Sequence, residues 1–310
     1  MPRIPDHIAD CTIYLYPSVD SAQNGENAGG SGFLAHVKST VPGYGHLYAV
    51  TNYHVIEHGS CVLRLNNKAG GIDMIKTEYA DWITHGDGDD IAVCPIRIDR
   101  EMFRWWSVGT ECFIDSSIID AYNIGYGDEV FLVGRLVVHS GQQKNAIVVR
   151  FGNISLMADQ EEPISHPEGP REGFLVECRS LSGFSGSPVF VTTTQDYGYV
   201  PQQKIEKLRQ DRQQLRQPGE VVHYGGTFGP WLLGIDWGHI PLWKPVFEKD
   251  RKTQTDFMAE QNTGIACAAP AWKIMEVLNS EELIKVRKKE DKGIGERIDA
   301  AKTSSAVLDS

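Results

Sequence analysis

Ser180–Phe190 reads "SLSGFSGSPVF". Serines in loops mostly solvate or shape turns, so a nucleophile among these four has to be argued from its neighbours. Ser185 has the neighbours. Gly183 lets the backbone turn so that its own N–H and that of Ser185 converge on one point, the arrangement that receives an oxyanion. Gly186 leaves room beside the hydroxyl, and Pro188 opens the next strand. Ser187 stands where the strand-to-helix elbow G-x-S-x-G would need its second glycine, so this turn belongs to another kind of fold.

A serine nucleophile needs a base and an acid that orients the base. The base candidate is His54, in "LYAVTNYHVIEHG", where an apolar run ends in Thr51-Asn52 and a scaffold would expose an imidazole to a cleft. The acid candidate is Asp90, in "HGDGDDIAVCPI", set just before the run Ile91-Ala92-Val93. A carboxylate at the edge of a core is tolerable when hydrogen-bonded, and there it can hold a histidine in one tautomer. The acids Asp87, Asp89 and Asp90 also suggest calcium, but an EF-type loop from Asp87 would end on Ile98 instead of glutamate. The chain order is therefore His, Asp, Ser.

The rest of the first two-thirds supports an all-β setting. "CTIYLY", "GFLAHV", "LYAVTN", "CVLRL", "IAVCPI", "EVFLVG", "AIVVRFG", "FLVEC" and "PVFV" are short β-type runs between Gly, Pro and Asp turns. Gly29-Gly30-Ser31-Gly32 reads as a turn into the second strand. "WLLGIDWG" and "GIACAAP" add two more strands, and "AWKIMEVLNSEELIKV" has the spacing of an amphipathic helix. Two polar stretches, 201–220 and 241–262, read as insertions that could serve as a partner surface. Residues 288–310 read as a loose tail.

Composition narrows the function classes. The 310 residues are 41% hydrophobic and 23% charged, with a net charge of −11. That is an ordinary globular balance, and the acidity speaks against binding nucleic acid through a basic surface. The N-terminus shows no signal-peptide h-region, and no stretch approaches the length of a membrane span, so a cytoplasmic location without membrane contact is expected. The six cysteines are dispersed, with no CxxC pair, so a cysteine zinc site is not expected and reduced thiols are.

Taken together, "GSGFL", "TNYHV", "DDIAV" and "GFSGSPV" resemble segments of trypsin-like serine proteases of the bacterial kind, the Deg-type enzymes and glutamyl endopeptidases. "GSPVF" and "GIDWG" are nearest the latter, and "GIACAAPAWKIMEVL" resembles the last barrel strand and C-terminal helix of such domains. The resemblance covers about residues 8–282. It implies two packed six-stranded Greek-key barrels, a first at about 8–115 and a second at about 125–270, followed by a helix at about 270–287. It also implies a serine endopeptidase acting on protein or peptide substrate, with His54, Asp90 and Ser185 as triad and the Gly183 and Ser185 amides as oxyanion hole. No cofactor or metal is implied.

This sequence departs from the family in two places. Phe184 stands where secreted members carry the acid that pairs with a freed N-terminus, so no such zymogen switch is expected. Deg-type enzymes usually carry a C-terminal PDZ domain, and none is expected in this chain. The specificity pocket is expected from Arg179, Ser180, Asp236, Trp237, Gly238 and Ala266, with Cys267 and Ala268 beside it. Asp236 favours a basic P1 residue, whereas Arg179 argues for an acidic one or pairs with Asp236; the reading leans to basic. A different class stays open too: a protease-fold binding or scaffold protein, or a partner-activated protease whose triad is misaligned when free.

Overall fold

The apolar runs fold because nearly every one is buried on both faces. The computed structural model describes residues 4–135, 141–165, 169–178, 183–194, 227–247 and 254–308. In the first half lie β1 (Thr12–Tyr16), β2 (Gly30–Lys38), β3 (Gly45–Thr51), β4 (Val62–Asn66), β5 (Ile72–Lys76), β6 (Ile83–Thr84), β7 (Ala92–Pro95) and β8 (Val108–Gly109). They pair in the order β5-β4-β1-β2-β3-β7-β6, with β8 parallel beside β2.

Successive residues of one strand serve different cores. Phe33, Tyr48, Val50 and Val93 join a buried cluster that contains Val130, Leu132, Phe190, Leu233 and Ile274 of the second half. Their neighbours Leu34, Ala49, Ala92 and Cys94 join Ile13, Ile56 and Leu63 in a cluster confined to the first half. A strand covered on both faces needs no polar alternation, which explains the continuous runs.

The second half is a closed barrel of β9 (Glu129–Arg135), β10 (Ile147–Leu156), β11 (Phe174–Glu177), β12 (Pro188–Thr194), β13 (Thr227–Phe247) and β14 (Gln254–Pro270). The closed order is β10-β11-β14-β13-β12-β9. Helices are α1 (Asp6–Ala9), α2 (Val19–Asn24), α3 (Tyr53–Glu57), α4 (Ser116–Tyr122), α5 (Ala271–Leu278) and α6 (Glu281–Leu308). None of the described helices is long and apolar enough to cross a membrane.

The chain is thus mostly β, with a closed six-stranded barrel and a C-terminal helix, as expected for its second half. Three expectations need correction. The first half has eight strands, not six, and among the described residues no ladder joins β5 to β6; β6 and β8 are two-residue pairings too short for a hydrophobic period. The described residues of 241–262 extend the barrel strands. There β13 and β14 run on as a paired ribbon from Pro241↔Asn262 to Phe247↔Gln254, exposing Trp243 and Phe257. The stretch taken for a loose tail is helical through Leu308. The other insertion, 201–220, lies outside the described residues.

Candidate active site

The polypeptide leaves β3 at Thr51 and turns at once into α3, with extended Asn52 as its N-cap. Asn52 makes no side-chain cap bond there; its Nδ2 instead donates to the Asp90 carbonyl at 2.8 Å. The first N–H groups of a helix need an acceptor, and the Asp90 carboxylate supplies one from the start of β7. Its Oδ1 accepts the His54 backbone N–H at 2.9 Å, and its Oδ2 lies 2.7 Å from His54 Nδ1. One buried carboxylate therefore fixes both the backbone and the ring of the same histidine. Burial pushes the Asp90 pKa up. The bond to the His54 ring, the attraction of that ring, the His54 N–H and the charge of Arg171 outweigh it and hold the carboxyl below its ordinary value. The His54 side chain remains 34% exposed.

The turn at 183–187 is held by its carbonyls. Gly183 O accepts Ser31 Oγ at 2.8 Å. Phe184 O accepts Ser187 N, and Ser185 O accepts Ser31 N, each at 2.8 Å. A trans peptide points its N–H opposite its carbonyl, so the Phe184 bond also sets the direction of the Ser185 N–H. On the other flank, Gly186 N donates to Asp236 O at 2.8 Å and Asp236 N to Ser187 O at 2.9 Å. Gly186 has φ +86°, and a Cβ there would stand 2.0 Å from Ser31 O. The glycine is thus required by conformation and by space. Phe184, fully buried, lies beneath the Arg150 guanidinium, 5.0 Å from ring centre to Cζ.

The two halves of the candidate site meet across β2. A Cβ added to Gly30 would lie 2.7 Å from Val55 Cγ2 and 3.0 Å from Ser185 O. Val55 directly follows His54, so α3 and the serine turn approach each other over a glycine backbone. Thr51 Oγ1 donates to Ser31 O at 2.7 Å, and Ser31 Oγ accepts the Arg135 N–H at 3.1 Å. Sequence reasoning missed Ser31 and Thr51 as parts of the site. The signal was a small residue between two glycines, read as a turn although Gly30 already begins a strand.

The expected pocket residues are partly placed. Asp236, Trp237 and Ala266 are buried, and Trp237 lies under Arg171 with Cζ 5.1 Å from the ring. Gly238, at φ +151°, would meet nothing within 4 Å if given a Cβ, so open space lies beside it. Arg179 and Ser180 lie outside the described residues. A thiol nucleophile is disfavoured: all six cysteines are free, and burial pushes Cys94 and Cys267 up to about 12 and Cys178 up to about 11.

No family model matches the sequence, and no curated protein matches it. Among solved structures, the chain is similar to the apo form of the MamO protease domain from Magnetospirillum magneticum. The TM-score is 0.46 at 13% identity, over 87% of this chain and 96% of that one.

Proposed function

We propose that the chain is a serine endopeptidase of the chymotrypsin type. The observation that carries the reading is the double hold of Asp90 on His54, through Nδ1 and through the backbone N–H. Such a hold fixes one tautomer and one ring orientation, which is what a general base requires. In the proposed reaction His54 takes the Ser185 Oγ proton as the oxygen attacks the scissile carbonyl. The Gly183 and Ser185 amides stabilise the oxyanion, and His54 then protonates the leaving amine. Water, deprotonated by His54, attacks the acyl-enzyme and regenerates Ser185. The depressed Asp90 pKa keeps that carboxylate charged throughout the neutral range, so it stabilises the imidazolium as it forms.

A fluorophosphonate probe tests this directly. Wild type is expected to be labelled and Ser185→Ala not. An unlabelled but folded wild type would move the reading to a binding protein or to a protease that needs a partner.

A further inference from the structure

A second histidine stands five residues before Asp90, in His85-Gly86-Asp87-Gly88-Asp89. Its side chain is 3% exposed. Nε2 lies 2.8 Å from Glu276 Oε2 on α5, and Nδ1 lies 3.3 Å from Asp89 Oδ2. One potential ligand atom from each of His85, Asp87 and Glu276 falls within 4.8 Å of the other two. The loop is built to bring Asp87 back to the histidine: Gly88 N donates to His85 O at 3.3 Å, with Gly88 at φ +82°.

We propose that His85, Asp87 and Glu276 bind a divalent cation of the zinc type. One imidazole with two carboxylates, completed by water, suits zinc better than calcium or magnesium, which take oxygen alone. The second ring nitrogen carries a further mark of such sites. A metal-ligating histidine almost always turns its other N–H to a carboxylate or carbonyl; His85 Nδ1 is buried and makes no hydrogen bond among the described residues, and Asp89 Oδ2, 3.3 Å away, is the acid beside it.

Charge points the same way. Lys273 Nζ is the cation the structure places among these acids, 3.5 Å from Asp89 Oδ2, 3.6 Å from Glu276 Oε1 and 3.7 Å from Glu172 Oε2. One ammonium faces the carboxylates of Asp89, Glu172 and Glu276, and Asp87 adds a fourth acid beside His85, so these four acids outnumber Lys273. Lys273 also approaches Glu276 through Oε1, leaving Oε2 on the histidine side. Burial fixes His85, while Asp87 and Glu276 are exposed, so an ion can enter from solvent. The ion would tie the loop that leads into Asp90 to a helix of the second half. The site stands independently of whether Ser185 is a nucleophile.

Calorimetric titration of the full chain with Zn²⁺, and with Co²⁺ for its visible d–d absorption, tests the site. One ion per chain is expected. Asp87→Ala and Glu276→Ala are each expected to weaken Zn²⁺ at least about tenfold, and Asp89→Asn about 10–100-fold through loss of the outer carboxylate. Because His85 is buried, the exposed variants decide the outcome, each checked for folding by near-UV circular dichroism. The proposal fails if wild type takes up no Zn²⁺. It also fails if both alanine variants bind as tightly as wild type, or if equimolar Ca²⁺ or Mg²⁺ displaces the ion.

Discussion

His54 and His46 both meet carboxylates, and they do so in opposite styles. His54 gives Nδ1 to a single acid that also caps its own helix, and it stays one-third exposed. His46, on β3, is 5% exposed and has an acid on each ring nitrogen: Glu290 lies 2.9 Å from Nδ1 and Asp291 lies 2.8 Å from Nε2. A neutral imidazole donates through one nitrogen only. A ring engaged on both sides cannot cycle a proton without breaking a bond. His46 fastens through two acids; His54 is held by one, through its ring and its backbone.

The fastening has further members. Asp291 accepts Ser39 Oγ, Thr40 N and Thr40 Oγ1, and Glu290 accepts Arg97 Nη2. Arg287 reaches Tyr48 OH and Leu278 O. Together they clamp α6 to the first sheet, far along the chain from the residues it grips.

The largest expected effect separates the two histidines. Ser185→Ala or His54→Ala should lower kcat by roughly 10⁴–10⁶, and Asp90→Asn by roughly 10⁴. His46→Gln should leave kcat within about twofold. Rates on a fluorogenic peptide, with folding verified for each variant, measure this. Equal losses at His46 and His54 would erase the distinction drawn between them.

Next in size is Gly186→Ala. The added methyl meets Ser31 O and Thr51 Oγ1 at 2.0 and 2.5 Å, in a left-handed conformation. Relief requires moving either the serine turn or β2. The expected cost is about 2–4 kcal/mol of stability, together with loss of probe labelling at Ser185. A variant of wild-type stability that still labels would show that the turn is looser than its contacts imply.

Much of this was legible in the sequence. Every run read as a strand lies on one, and most are buried on both faces, which writes itself as an uninterrupted apolar word; the half-buried β10 and the alternating β11 are exceptions. His54, Asp90 and Ser185 were proposed from their order and their places at strand ends, and the structure brings His54 and Asp90 within 2.7 Å of each other. What stayed hidden had no local signature. The clamp of Ser31 and Thr51 on the serine turn is made by buried hydroxyls whose partners are remote. Helix α6 carries "RKKEDKGIGERIDAA", polar almost throughout and broken by Gly293 and Gly295, so no apolar period announces it. It is held largely by ion pairs and hydrogen bonds to the first sheet, and such contacts become visible only once the sheet exists.

The smallest effect concerns that docking and its pH dependence. At both Glu290 and Asp291 burial acts to raise the pKa. Hydrogen bonds from Arg97 and His46 at Glu290, and from Ser39, Thr40 and His46 at Asp291, outweigh it and hold both below their ordinary values. A carboxylate depressed in the folded state adds stability that is complete above its unfolded value and lost as pH falls through the folded one. The ordinary values are 4.5 and 3.8, so docking should hold at neutral pH and weaken in acid below that range. His46→Gln removes the ring between the acids and should cost about 1–3 kcal/mol while flattening the acid-dependent loss. Hydrogen exchange of the α6 amides, followed from neutral to acid pH in wild type and variant, reads this locally. If α6 protection in wild type ignores the acid range, or if the variant keeps the full acid-dependent loss, the helix is held by packing and His46 is no fastener.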